Sequence, residues 1–220
     1  MQTTDRIVAR STTPVPKNAR ADVWWPHPHA AFDVVAIAAS AGGLRALTKL
    51  LSGLTAEFPA SIAVVQHLDP RHRSLMADIL SRHSALPIKQ ADDGDCVRPG
   101  AVFIAPPDQH LLVNADGSLS LSRTELVHFL RPSADLLFES VAASFKDRSI
   151  GVVLTGTGSD GATGVQAIKK MGGTVIAQDE GTSEFFGMPS AAIQTGHVDF
   201  ILALNEMASA LTTLVKGDAR

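Results

Sequence analysis

The sequence predicts a three-layer α/β/α domain with a mostly parallel, doubly wound, Rossmann-like sheet. Three observations carry that prediction. Short continuous apolar runs such as Val34-Val35-Ala36-Ile37-Ala38 recur along the chain, as strands buried on both faces require. Helix-patterned stretches of about ten residues separate many of them, which is the rhythm of βαβ units. Glycine-rich turns such as Ala41-Gly42-Gly43 follow the runs where a strand should hand over to a helix.

The elements follow in order. Residues 34–38 form the first strand and residues 44–51 the first helix. A second strand covers 62–65 and a second helix roughly 74–82. Residues 88–121 read as short strands and turns, punctuated by Asp93-Gly94, Arg98-Pro99-Gly100, Pro106-Pro107 and Asp116-Gly117. An amphipathic helix covers 134–145 and a buried strand 150–154. The helix over 162–171 stops at Gly172-Gly173, as a left-handed cap would stop it. A strand over 174–177, a short helix over 190–195, a strand over 200–202 and a helix over 207–215 complete the pattern. There is no internal repeat.

Residues 1–32 stand apart as a disordered tail ahead of a body spanning 33–217. The tail holds four of the 12 prolines, scattered charge and no periodicity, with Trp24-Trp25 as candidates for docking.

Composition narrows the function. Of 220 residues, 45% are hydrophobic and 19% charged, enough for a sizeable core. The net charge is -3, and the body without residues 1–32 carries 15 basic against 20 acidic residues. A mildly acidic body argues against nucleic-acid binding, because neutralising phosphates takes a basic patch. The single cysteine, Cys96, excludes an internal disulfide and a Cys-rich zinc site. No apolar run approaches the ~18 residues of a membrane span, and the N-terminus has no apolar signal region. These features predict a cytoplasmic protein without direct membrane insertion.

Sites in parallel sheets lie beyond the carboxyl ends of the strands. That rule selects three loops, over residues 39–43, 66–73 and 155–161. In the first, Ser40 sits between strand and helix. It can cap the helix, act as a nucleophile, or help bind a phosphate at the helix N-terminus. In the second, His67 directly follows a strand on the same sheet edge and can serve as a general base. It can also be an ordinary loop histidine. His72 lies further along that loop. The other histidines, His27, His29, His83, His110, His128 and His197, have no metal-binding spacing. The third loop, Thr155-Gly156-Thr157-Gly158-Ser159-Asp160-Gly161, has two readings. Gly156-x-Gly158-x-x-Gly161 with Asp179 further on spells a dinucleotide fingerprint. Alternatively Asp160 orients a histidine and the glycine-rich backbone binds an oxyanion. The fingerprint normally opens its domain, whereas this one comes late, after a nucleophile and a base.

At these residues the chain resembles the catalytic domain of the chemotaxis methylesterase CheB family, from about residue 33 to 215. Matching blocks include Ala36-Ile37-Ala38-Ala39-Ser40-Ala41-Gly42-Gly43, Val65-Gln66-His67, Ile104-Ala105-Pro106-Pro107 and Arg131-Pro132-Ser133-Ala134-Asp135-Leu136-Leu137-Phe138. Further blocks are Leu154-Thr155-Gly156-Thr157-Gly158-Ser159-Asp160-Gly161, Ala177-Gln178-Asp179-Glu180 and Phe186-Gly187-Met188-Pro189. The resemblance implies Ser40 as nucleophile, His67 as base, Asp160 as the orienting carboxylate and the Thr157 backbone N–H as an oxyanion donor. It implies substrates that are glutamate methyl esters on the cytoplasmic helices of chemoreceptors, with glutamine deamidation as a second activity. It calls for no metal and no organic cofactor.

The sequence departs from the family in four places. Ala41 stands where a threonine is frequent, Thr157 where methionine is frequent, and Leu130 where histidine is common. The resemblance also implies an attached receiver domain of about 120 residues, the size of one domain. The 32-residue tail has no room for one, so the expectation is constitutive activity or control by a separate regulatory partner. A catalytically weak scaffold module is the alternative reading.

Overall fold

The computed structural model describes residues 30–68, 74–127 and 129–217. The elements run β1 (Val34–Ala39), α1 (Gly43–Ser52), β2 (Ser61–Gln66), α2 (Met76–Ser81), β3 (Ile88–Gln90), β4 (Val102–Ile104), β5 (His110–Val113), β6 (Leu119–Ser122), α3 (Ala134–Phe145), β7 (Ser149–Val153), α4 (Ala162–Lys170), β8 (Thr174–Gln178), α5 (Gly187–Gln194), β9 (Phe200–Leu202) and α6 (Met207–Lys216).

Seven strands form one sheet in the order β3-β4-β2-β1-β7-β8-β9, every pairing in it parallel. The remaining two, β5 and β6, form a separate antiparallel hairpin. This is the three-layer, doubly wound fold that the sequence predicts. Period-two alternation divides the core. Val35, Ile37 and Ala39 of β1 face the layer of α1, α2 and α6. Val34, Ala36 and Ala38 face α3, α4 and α5, with the hairpin covering the rest. Both faces of β1 are fully buried, which is why its residues read as an unbroken apolar run.

Chain order reverses on the two sides of β1, between β2 and β7. The crevice beyond the carboxyl ends of β1 and β7 is therefore the topological switch point, where open α/β sheets bind ligands. Register makes that edge level. Ala39 pairs with Gln66, and Ala38 pairs with Val153. The three next residues out, Ser40, His67 and the 155 loop, thus emerge at one height.

Residues 30–32 join the body. Ala31 N–H donates to the Val215 carbonyl (2.7 Å), and Arg148 forks onto both oxygens of Asp33 (2.6 Å each) while also reaching the Ala30 carbonyl. Residues 1–29, with Trp24-Trp25, His27 and His29, lie outside the described residues, as do His72 and His128. Among the described helices none is long and apolar enough to cross a membrane.

Candidate active site

Ser40 leaves β1 with its N–H donating to the Thr155 carbonyl (3.0 Å) and its own carbonyl accepting from Gly43 N–H (2.9 Å). The turn into α1 takes its left-handed residue at Gly42 (φ 77°), so glycine carries the backbone constraint and the serine does not. Gly42, not Ser40, is the N-cap of α1, and no side chain caps that helix. The helix-capping alternative for Ser40 is therefore not realised. Its hydroxyl makes no hydrogen bond among the described residues and is half-exposed at the head of a helix dipole.

His67 follows β2 directly and is held to β1 by its N–H, which donates to the Ala39 carbonyl (3.1 Å). Its Nε2 lies 2.8 Å from Asp160 Oδ2, with the two side chains only 11% and 1% exposed. An ionised carboxylate there accepts a hydrogen bond from Nε2–H. That fixes the tautomer and leaves Nδ1 as the basic nitrogen.

Asp160 is fully engaged. Oδ2 also accepts from Ala134 N–H (2.6 Å). Oδ1 accepts from Ser133 Oγ–H (3.0 Å) and Asp135 N–H (3.1 Å). Burial alone would raise the Asp160 carboxyl. The His67 bond, the two amides at the head of α3 and the nearby imidazole outweigh burial and hold it below the usual carboxylate range. The carboxylate thus sits ionised at a helix N-terminus, a site suited to an anion.

The 155–161 loop completes the arrangement. Thr155 Oγ accepts from Phe185 N–H (2.8 Å), and its main-chain N–H donates to Gln178 Oε1 (2.8 Å). A Cβ on Gly156 would lie 2.3 Å from Met188 Sδ and 2.9 Å from Ser40 Cβ, so glycine alone lets this loop press against the serine. Thr157 is exposed, and its N–H makes no hydrogen bond among the described residues; the same holds for Ala41 N–H. Both donors are free for an oxyanion. Ala41 escaped the sequence reading, although the residue after a nucleophile is the usual place to look for such a donor.

The dinucleotide reading finds no support in this geometry. Met188 fills the space over the first glycine of the fingerprint. The carboxylate of Asp179 accepts from Thr182 within its own turn and is not presented to a ribose. No group of three or more metal-ligating side chains occurs among the described residues.

Two further side chains shape the site and were not singled out from sequence. Gln66 Nε2 donates to the carbonyls of both Ser40 (2.7 Å) and His67 (3.1 Å), clamping the two loops together. Its Oε1 is the one buried side-chain polar atom without a partner among the described residues. His110, fully buried, accepts from Ser133 N–H at Nδ1 (3.1 Å) and donates from Nε2 to the Glu125 carbonyl (3.1 Å). It supports Ser133 from behind. A cleft of about 460 Å³ opens beside the Ser40 turn, lined by Gly42, Arg45, Lys49, Thr155, Gln178 and Glu184 among others.

The chain is similar to several known proteins. The family model described as CheB methylesterase matches residues 35–211. A protein-glutamate methylesterase/protein-glutamine glutaminase of Moorella thermoacetica is 41% identical over 84% of this chain and 45% of its own length. A putative protein of the same name from Leptospira interrogans is 39% identical over 80% of this chain and 92% of its own. The crystal structure of the Thermotoga maritima CheB methylesterase catalytic domain superposes with a TM-score of 0.79 at 38% identity, covering 82% of this chain and 97% of that one. The chain spans about half the length of the Moorella protein and of several other curated relatives it matches.

Proposed function

The chain belongs to the CheB methylesterase family, and from that premise we propose that it is a protein-glutamate methylesterase using Ser40, His67 and Asp160. The observation that carries this reading is the buried Asp160–His67 pair, level with a serine whose hydroxyl is unengaged. Residues 33–217 form the catalytic unit, following the segment 1–32.

In this reading the Ser40 hydroxyl attacks the ester carbonyl of a modified glutamate as His67 Nδ1 takes its proton. Asp160 stabilises the imidazolium and holds its orientation. The N–H groups of Thr157 and Ala41 receive the tetrahedral oxyanion. The proton on Nδ1 passes to the departing methanol, leaving an acyl-serine. Water, deprotonated by the same nitrogen, then releases the glutamate carboxylate and restores Ser40. Deamidation of glutamine follows the same steps with ammonia as the leaving group.

The substrates are glutamate methyl esters on the cytoplasmic helices of chemoreceptors, and the site of action is the cytoplasm. The half-exposed Ser40 and the exposed Thr157 support an approach from the carboxyl edge of the sheet. A serine-directed phosphonate tests the site itself. Mass spectrometry should find the adduct on Ser40 in the wild type, forming far more slowly in His67→Ala. Absence of labelling, or labelling independent of His67, would contradict the proposed pair.

A further inference from the structure

Helices α3 and α4 cap each other through two aspartates. The head of α3 donates the Ala134 and Asp135 amides to the carboxylate of Asp160, two residues ahead of α4. In return Asp135 Oδ1 accepts from Gly161 N–H (2.9 Å) and Gly164 N–H (2.8 Å) at the head of α4. The first four N–H groups of a helix lack intrahelical partners, so each aspartate answers donors of the opposite helix. Gly164 lets the helices come this close. A Cβ there would stand 2.5 Å from Phe138 Cβ and 3.1 Å from Asp135 Cα.

The Asp160–Gly161 peptide matters most. Its N–H belongs to Gly161, whose φ of 98° turns the chain from the loop into α4. Asp135 grips that N–H directly. The Asp160 residue is therefore tethered at two points, its carboxylate by α3 amides and Ser133, its main chain by the Asp135 carboxylate. Asp135 is buried and makes no hydrogen bond to Ser40 or His67.

We propose that Asp135 is a positioning residue for the reaction: by anchoring Gly161 and Gly164 it aims the Asp160 carboxylate at His67 Nε2. This rests on the Ser40–His67–Asp160 reading. The charges around the pair are compatible with the role. Burial, with Asp160 and then Glu139 of the same helix adding to it, pushes the Asp135 carboxyl up against the opposing pull of its two amide donors. The Asp160 carboxyl is held down by contrast, chiefly by its His67 bond and the two amides at the head of α3 working against burial.

The test compares Asp135→Asn, which keeps an acceptor oxygen, with Asp135→Ala, which removes it. Two readouts are taken, steady-state kinetics and the low-field proton resonance of the His67 Nε2–H bond to Asp160. The expected result for Asp135→Ala is a kcat lower by about 10- to 100-fold with KM within about twofold, and a lost or shifted resonance. Asp135→Asn should restore both to near wild type. An unchanged kcat and resonance in Asp135→Ala would overturn the proposal, as would a kcat falling only in proportion to the folded fraction. Should Asp135→Ala fail to fold, Asp135→Ser, whose short side chain cannot bridge both glycine amides, is read against Asp135→Asn on the same terms. If the wild type shows no Ser40-dependent turnover, the catalytic reading fails separately. The resonance alone then decides whether Asp135 aims Asp160.

Discussion

At the scale of single residues, both oxygens of Asp160 accept two hydrogen bonds each, and that saturation suits the residue to the orienting role proposed for it and not to carrying a proton. Asp160→Asn would present an amide to His67 and favour the wrong tautomer. Its kcat should fall by roughly 10³- to 10⁴-fold with substrate binding little changed, as steady-state kinetics would show. Gln66 has a different task. Gln66→Glu replaces a donor to two carbonyls with a carboxylate that repels both, so the Ser40 and His67 loops should separate. A kcat lower by about 10-fold or more, with a fall in melting temperature, is expected. Of these residues, Ser40, His67 and Asp160 were legible in the sequence, because each stands in a loop directly after or close to a buried strand. Ser133 and Gln66 were not. Gln66 ends an apolar strand and looks like its last polar residue, while Ser133 meets Asp160 only through packing of segments far apart in the chain.

At the scale of elements, the turn into α1 is the tightest joint. A Cβ on Gly43 would sit 2.0 Å from Gln66 Oε1, so Gly43→Ala must expel the clamp. We expect about 2 kcal/mol of lost stability in urea titrations, together with reduced turnover, since overpacking and two lost hydrogen bonds add. The opening of β1 is fixed by Arg148, whose fork spans Asp33 and whose Nη2 also reaches Ala30. Asp33→Ala strands a partly buried guanidinium and should cost about 2 kcal/mol, less than a fully buried pair because Arg148 is 32% exposed on its side chain. Strand and helix identity followed well from apolar periodicity, including α3 at its observed limits and β9 over three residues. The start of α5 did not. The sequence suggests residue 190, whereas the helix opens at Gly187 with Pro189 inside its first turn. A proline is tolerated there because first-turn N–H groups need no partner within the helix. The β5–β6 hairpin read only as turns and short strands, since its pairing depends on covering α3 and not on its own pattern.

At the scale of the whole molecule, the paired aspartates give opposite pH dependences of stability. Asp160 is lowered in the folded state, so its contribution is present above the ordinary carboxylate range and is lost as pH falls through its depressed value. Asp135 is raised, so its contribution is present at low pH and is lost as pH rises through its elevated value. Urea midpoints followed from about pH 3 to 7 should therefore show Asp160→Asn losing less stability than wild type on acidification below about pH 4. Asp135→Asn should gain on wild type as pH rises through and above that range. The doubly wound topology was legible from alternating apolar runs and helices. The switch point between β1 and β7 followed once the strand order was known, because chain order alone does not reveal which strand neighbours β1 on its second side. The function proposed for that edge reduces to one chemical claim, that Ser40 cleaves a glutamate methyl ester with His67 and Asp160 behind it. The most direct measurement is methanol release from methylated chemoreceptor cytoplasmic fragments by wild type and Ser40→Ala. The account predicts release by the wild type and a loss of about 10⁵- to 10⁶-fold in the variant. No release from the wild type, or release that survives Ser40→Ala, would contradict it.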